Sequence, residues 1–256
     1  MSRRPAAAPL QAYVLHRHDW SETSLILELF TRERGRVVVA AKGAKRPYSQ
    51  LRPVLLPFQR VNVLLGRTPG DESSEVHTLR SAEWAGGVPV LAGGALFRGF
   101  YLNELLIKLL ARQDPHEALF DAYAQTLPAI AGAENAASTA ALRAFELVLL
   151  RETGVLPELD RLTATLSELD PEGRYGLNAE GGVVPGADDA VPGLVLQALQ
   201  AGLEAGDLGA VHAACLPALP ALRTQLRALL QYHLGHAVLR TRQVMLEVQR
   251  LMEPAR

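Results

Sequence analysis

The stretch SLILELFTRERGRVVVAA, residues 24–41, decides the fold of the first part of the chain. Residues 24–30 and 36–41 are strand-like runs, and the second is rich in β-branched valine. Gly35 lies between them in the tetrapeptide ERGR, where a tight hairpin turn needs a positive φ. Together these features predict a β-hairpin.

Further strand-like runs flank this hairpin at residues 10–16, 54–65 and 75–81. Five short strands with no long helix among them are typical of a small barrel or sandwich. Pro47 and Pro53 exclude a central strand from the segment after the hairpin, because proline has no backbone N–H to donate to a sheet. We therefore expect an all-β domain at residues 1–81.

Positive charge is concentrated in this domain. The chain of 256 residues has a formal net charge of −1, yet residues 32–67 hold nine basic side chains and a single acid, Glu33. Such a block suits a polyanion, since each phosphate that it neutralises releases condensed counterions, although an ordinary solvated surface is the alternative. The candidate nucleic-acid-binding residues are Arg32, Arg34, Arg36, Lys42, Lys45, Arg46, Tyr48, Arg52 and Arg60.

Aromatic residues make up only 5% of the chain, which favours binding to phosphates over readout of individual bases. Tyr48 is the aromatic side chain best placed to stack on a base. A tyrosine in a loop serves as often to anchor the loop, and the sequence leaves both roles open. Phe58 is expected to pack inside the barrel.

Apolar residues recur with helical spacing from about residue 88 onward. Residues 157–191 interrupt this pattern with frequent Gly, Pro and Asp, which predicts an irregular insertion with one hairpin near 174–184. The predicted helices lie at 95–112, at 115–127 ending before Pro128, from an N-cap at Ser138 or Thr139 to Gly154, and, longest of all, at 222–252. The expected architecture is α+β and multidomain: a barrel at 1–81, a helical bundle at 82–156 and 192–256, and the insertion at 157–191.

The sequence contains no familiar catalytic signature. Nothing in it fits a P-loop, a G-x-S-x-G elbow or an H-E-x-x-H zinc motif. The pairs His16/His18 and His233/His236 have no further ligand in register, so surface or packing roles are expected for them. The single cysteine, Cys215, excludes an intramolecular disulfide and is expected to be a buried apolar residue. Because the catalytic signatures are missing, we expect a protein that is not an enzyme. Because the sequence has no long apolar run and no leader-like start, we expect it to be cytoplasmic.

A second class of function starts from the last predicted helix. Its arginines either solvate the outer face of the helix or, with leucines beside them, form a pocket for an acidic peptide with an apolar end. The second interpretation would make the protein an interaction adaptor whose contact with DNA is secondary. The arginines concerned are Arg223, Arg227, Arg240 and Arg242.

Several segments, taken in order, resemble one protein family. SETSLILELFTRERGRVVVAAKGAKR (21–46), PFQRV (57–61) and LRSAE (79–83) resemble the N-terminal domain of RecO, the bacterial recombination mediator. GFYLNELL (99–106) resembles the start of its helical domain, and YHLGHAVLRTRQ (232–243) resembles the end. The resemblance covers nearly the whole chain, and it rests on the joint order of the segments because no single motif is decisive.

This resemblance implies an OB-fold barrel, a helical bundle and a non-enzymatic role in DNA repair and recombination. It implies binding of single- and double-stranded DNA without sequence specificity and annealing of complementary strands. It also implies action with RecR to load RecA onto DNA coated by single-strand-binding protein. The implied partners are DNA, RecR and the acidic C-terminal tail of single-strand-binding protein, and the implied location is the cytoplasm, at the nucleoid.

The insertion departs from the family pattern. Many members carry C-x-x-C twice in this segment, a spacing that suits a tetrahedral zinc site. Aligned on the flanking LDR and GGVV, those four positions hold Leu162, Thr165, Pro185 and Asp188. None of them is a thiolate, and residues 157–191 contain no histidine, so we expect neither zinc nor another cofactor.

Overall fold

The N-terminal strands close into a five-stranded barrel. The computed structural model describes residues 8–66, 76–87, 90–186, 189–235 and 239–252. The strands are β1 (Leu10–Asp19), β2 (Leu25–Thr31), β3 (Gly35–Ala41), β4 (Arg60–Gly66) and β5 (Val76–Trp84). They pair in the order β1-β2-β3-β5-β4 around the barrel, with β3 and β5 parallel and the other neighbours antiparallel. The predicted five-stranded OB-fold is confirmed.

One strand begins later than the sequence predicts. The run 54–65 is expected to be extended throughout, but β4 begins only at Arg60. Pro57 lacks an N–H, and Phe58 adopts a left-handed φ of 67°, so the chain turns here and forms a single bridge between Pro57 and Val14 instead of a continuous strand. Phe58 is buried, and its ring centroid lies 5.0 Å from that of Phe100.

β2 and β3 define two ends of the barrel. They pair from Leu25 opposite Ala41 to Thr31 opposite Gly35. Leu25 and Thr31 are six positions apart along the strand, which corresponds to about 20 Å. The end near Leu25 and Ala41 is called the loop end and comprises residues 17–25 and 41–56. The end near Thr31 and Gly35 is called the helix end and comprises residues 31–36 and 60.

The helix end packs against α1 (Gly94–Leu109) and the start of α2 (Glu117–Ala129). Gly35 has the predicted positive φ, +62°, and a Cβ added to it would lie 1.8 Å from the carbonyl oxygen of Asp114. No larger residue therefore fits this turn. By their contacts, residues 99–121 group with residues 1–90 in one compact unit.

The other compact unit contains the helical bundle. α3 (Ala136–Glu152) packs against α5 (Leu208–Cys215) and α6 (Leu219–Leu234), and α4 (Gly193–Glu204) packs against α5. Cys215, at the end of α5, is fully buried, as the sequence predicts. Among the described residues, no helix is both long and apolar enough to cross a membrane.

Several helix boundaries differ from the sequence prediction. The N-cap of α3 is Asn135, whose side chain accepts from the Ser138 amide while the Ser138 hydroxyl accepts from the Asn135 amide. Pro128 lies inside the last turn of α2 instead of ending the helix. The single helix expected over 222–252 is two helices, because α6 stops at Gly235, whose φ of 60° and ψ of −128° are not helical. The second, α7, spans Arg240–Met252.

The insertion contains the predicted hairpin. β6 (Arg174–Asn178) pairs with β7 (Gly182–Pro185), and β8 (Val191–Pro192) adds to the other edge of β6. Glutamine side chains from the bundle bind its backbone and hold it in place. Gln225 of α6 accepts from the Leu177 amide and donates to the Asp189 carbonyl (3.0 and 2.6 Å), while Gln200 and Gln197 of α4 bind the Leu159 amide and the Leu169 carbonyl (2.9 Å each).

Candidate nucleic-acid interface

At the helix end, two of the candidate arginines are bound by neighbouring side chains. Arg32 lies with Nη1 2.6 Å from Glu117 Oε2 and with Nη2 3.0 Å from Asp121 Oδ2. Arg60 donates to the side-chain oxygen of Gln11. These contacts join barrel residues to one another and to α2, so they give both arginines a structural role.

Arg36 has a structural role as well. Its guanidinium lies 3.9 Å from the Glu28 carboxylate, and it donates to the Ile107 carbonyl at the end of α1. Arg112 reaches the same carboxylate at 3.3 Å. Burial lowers the pKa of Arg36, against the attraction of Glu28. Among the helix-end candidates, Arg34 is the one that is exposed without an ion pair to any described residue.

The loop end gathers the remaining candidates. Lys42, Arg46 and Arg52 are exposed and form no ion pair within the described part of the chain. Lys45 lies with Nζ 3.1 Å from Asp19 Oδ1, and it also donates to the Ser21 carbonyl at 3.0 Å. Tyr48 is 95% exposed, so its ring does not anchor the loop. The predicted set is thus divided between two ends that lie about 20 Å apart.

Strand register adds another cation, Arg17, to the loop end. Arg17 stands opposite Leu27, a residue of the barrel core, and Asp19 stands opposite Leu25. Since directly opposed residues share a face of an antiparallel pair, Arg17 continues the inward-facing row of β1 beyond Val14. Its guanidinium reaches the Leu55 carbonyl at 3.4 Å and therefore lies over the mouth of the barrel.

Two concavities open at this mouth, and both are lined by Arg17 and Arg52. The smaller, about 410 Å³, has an apolar floor and a charged rim of Asp19 and three cations. The larger, about 670 Å³, runs along the loop that carries Tyr48. An apolar floor beneath a cationic rim can take a flat apolar group that is attached to an anion.

The sequence-based set of binding residues omits Arg17 and Trp20. Arg17 stands among two histidines and an aspartate, and only the register shows that it faces inward. Trp20 follows β1 directly and is 59% exposed. The sequence does contain a signal for Trp20. A large aromatic residue usually buries its ring, so a tryptophan in a turn is a candidate binding residue.

The histidines of β1 lie on the outer side of the barrel. The ring centroids of His16 and His18 are 4.3 Å apart, and burial, followed by the neighbouring His18, lowers the pKa of His16. Within the described ranges, no three His, Cys, Asp or Glu side chains gather as a metal site. The pair therefore offers at most two ligands there.

The predicted partner-binding arginines lie on the two C-terminal helices. Arg223 and Arg227 are exposed one turn apart on α6, whose sequence contains no acid, and Tyr232 on the same helix is 54% exposed. Arg240 is exposed on α7. The side chain of Arg242 lies outside the described residues.

The positions that correspond to the family's zinc ligands do not fit a zinc ion. Leu162, Thr165 and Pro185 offer no thiolate or imidazole, and Asp188, outside the described residues, could supply only one ligand. Hydrogen bonds instead join the two halves of the insertion. Thr163 donates its amide to the Val183 carbonyl at 3.1 Å and accepts from the Val183 amide through Oγ1 at 2.8 Å.

Two residues that adjoin these positions have left-handed backbone angles. Leu166, just after Thr165, has φ 57°, and Asp189, just after Asp188, has φ 58°. The left-handed region costs a leucine about 1–2 kcal/mol. Each of these left-handed residues thus directly follows a position that corresponds to a zinc ligand of the family.

Comparisons with known proteins agree with this architecture. Residues 8–87 match the family model described as recombination protein O N terminal, and residues 93–243 match recombination protein O C terminal. A DNA repair protein RecO from Polaromonas sp. (strain JS666) is 53% identical over 244 residues, covering 94% of this chain and 96% of that protein. Another, from Albidiferax ferrireducens, is 52% identical over 244 residues, with 94% and 95% coverage. The chain therefore belongs to the RecO family of DNA repair proteins.

Proposed function

We propose that this protein is a recombination mediator that binds DNA through the loop end of its barrel. In this role it binds single- and double-stranded DNA without sequence specificity, anneals complementary strands, and helps RecR to load RecA onto DNA coated by single-strand-binding protein. It acts in the cytoplasm at the nucleoid and catalyses no reaction of its own. Family membership supports the general role, and the loop end supports the DNA contact.

The observation that carries the proposal is the charge of the loop end. Arg17, Lys45 and Arg52 line the two concavities, and Lys42 and Arg46 are exposed on the loop beside them. Within the described part of the chain, Asp19 pairs with Lys45 alone among these cations. Exposed cations without partners are the groups that exchange counterions for phosphates. Arg32, Arg36 and Arg60 already have protein partners, so we assign them no primary part in binding.

The salt dependence of binding tests the proposal. A triple variant with Lys42→Gln, Arg46→Gln and Arg52→Gln should weaken binding to an oligonucleotide and reduce the log–log salt slope by about 2, since each lost contact to a single strand removes about 0.7. The matched control is Arg34→Gln compared with Arg52→Gln, because each removes one exposed cation, but at opposite ends of the barrel. Equal slopes for the triple variant and the unchanged protein would refute the loop-end site. A slope change with Arg34→Gln alone would move the site to the helix end.

Strand annealing tests the wider function. Complementary oligonucleotides, bare or coated with single-strand-binding protein, should anneal faster with the unchanged protein than with the triple variant. Annealing of bare strands without any effect on coated strands would contradict the mediator role while leaving DNA binding in place.

A second function, recognition of an acidic peptide, is favoured by the exposed face of α6. Arg223 and Arg227 lie one turn apart and offer two exposed charges on a helix without acids, while the exposed ring of Tyr232 lies about half a turn around the same helix. We propose this face as the contact for the tail of single-strand-binding protein. The double variant Arg223→Glu and Arg227→Glu should lose binding of an acidic peptide that ends in Pro-Phe, whereas Arg151→Glu, an exposed arginine of α3, should not. If the double variant binds the peptide as tightly as the unchanged protein, the face of α6 is not the peptide contact.

A further inference from the structure

We propose that the loop end binds unpaired strands in preference to duplex, with Trp20 and Tyr48 stacking on bases. This inference rests on the proposed DNA binding and adds the form of DNA that is preferred. It starts from two large aromatic rings that the fold leaves in solvent. Trp20 is 59% exposed, and Tyr48 is 95% exposed.

The two rings lie on loops that are fastened together. Trp20 occupies the β1–β2 turn, where its amide and that of Ser21 both donate to the Ser24 carbonyl. Lys45 joins the second loop to this turn, because its amide donates to the Thr23 carbonyl at 3.0 Å and its ammonium to the Ser21 carbonyl at 3.0 Å. The two aromatic side chains thus lie on connected loops at the barrel mouth.

The mouth of the barrel carries apolar and cationic side chains that suit an unpaired nucleotide. Leu25, Ala44 and Leu55 line the smaller concavity, with Arg17 and Arg52 at its rim. An apolar floor contacts the face of a base, while the guanidinium groups hold the adjoining phosphates. In a duplex each base face is covered by its stacked neighbours, so only the cations can then make contact. The aromatic and apolar surfaces therefore contribute to binding of single strands alone.

The positions of the tryptophans make the proposal measurable. The chain has two tryptophans, Trp20 at the loop end and Trp84 at the helix end. Trp84 pairs with Val61 and is 64% exposed, so it serves as a matched control on the same barrel. Trp84→Phe leaves Trp20 as the sole indole, and Trp20→Phe leaves Trp84.

We expect the Trp84→Phe variant to lose fluorescence on titration with an oligothymidylate and much less with a blunt duplex at equal phosphate concentration. The Trp20→Phe variant should respond to neither. Quenching of Trp84 in place of Trp20 would overturn the proposal.

Affinities supply the second readout. Trp20→Ala should weaken binding of the oligothymidylate about tenfold and leave duplex binding within about twofold, since each stacked base contributes a factor of this size. Trp20→Phe should restore much of the loss. Equal losses for both nucleic acids, or none for the single strand, would refute the stacking role. If the Arg52→Gln variant still weakens binding of both, DNA binding at the loop end stands even though stacking has failed.

Discussion

The guanidinium of Arg36 and the carboxylate of Glu28 lie 3.9 Å apart, and their side chains are only 13% and 11% exposed. The pair faces Arg112 and the end of α1, so it fixes the helix on the barrel. In the sequence alone, Arg36 is one more cation in a basic run. Its neighbours make it a structural residue.

Breaking this pair should therefore reduce stability. Arg36→Met leaves the nearly buried Glu28 charge with Arg112 as its one remaining arginine partner among the described residues, and we expect the free energy of unfolding to fall by about 3 kcal/mol. Arg34→Met, an exposed neighbour, should change it by less than about 0.5 kcal/mol. Urea unfolding followed by circular dichroism measures both. Similar values for the two variants would contradict the structural role of Arg36.

The Thr163 hydroxyl should stabilise the insertion. Thr163→Val keeps the shape of the side chain but removes the acceptor for the Val183 amide, which should cost about 1–2 kcal/mol of unfolding free energy. Thr165→Val is the control, because among the described residues its hydroxyl has one hydrogen-bond partner, the hydroxyl of the exposed Ser167. A larger loss in the control would show that the two halves are not joined through Thr163.

Metal content provides an independent test of the same segment. We expect untagged protein to contain no stoichiometric zinc by elemental analysis, and chelator treatment to leave the unfolding midpoint unchanged. One zinc per chain would overturn the assignment of Leu162, Thr165, Pro185 and Asp188 as positions without metal.

The left-handed backbone at Leu166 predicts a stabilising substitution. Leu166→Gly removes the strained Cβ of a residue that is 69% exposed, and should raise the free energy of unfolding by about 0.5–1 kcal/mol after the entropy cost of glycine. Leu194→Gly should instead lower it by about 0.5–1 kcal/mol, since Leu194 is an exposed leucine in a helix. A loss of stability in both variants would contradict the strain at Leu166.

Cys215 should be unreactive in the native protein. Burial raises the pKa of its thiol to about 12, so the reactive thiolate is scarce at pH 8. Labelling with a thiol-exchange reagent should be slow in buffer and rapid in concentrated urea. Immediate labelling of folded protein would place the thiol at the surface.

Local sequence was sufficient to predict the barrel but not to identify which basic side chains have partners within the protein. The hairpin at residues 24–41 could be predicted because its apolar runs, its valines and Gly35 all act within a few positions. Arg32 is different, since its acidic partners Glu117 and Asp121 come more than eighty residues later and only the fold brings them near. The same holds for Arg17, whose inward orientation follows from a β-bulge in β1 between Val14 and His16. Charge counted along a chain therefore cannot separate free cations from bound ones.

The prediction of a single helix over residues 222–252 was wrong for a different reason. The apolar spacing continues through residues 222–252, yet one residue, Gly235, takes a conformation that ends the helix. A hydrophobic pattern reports which face is buried, and it carries little information about a single backbone angle.

The glutamine contacts of the insertion bear on how this part of the protein unfolds. The Leu177 amide donates its proton to Gln225, a buried residue of the long helix α6, so that amide is released only when the helix side chain moves away. Hydrogen exchange at Leu177 should then proceed at the pace of the α6 core amides instead of at the faster pace of a surface hairpin. On that basis a segment that looks in sequence like a separable module opens and closes together with the bundle that surrounds it.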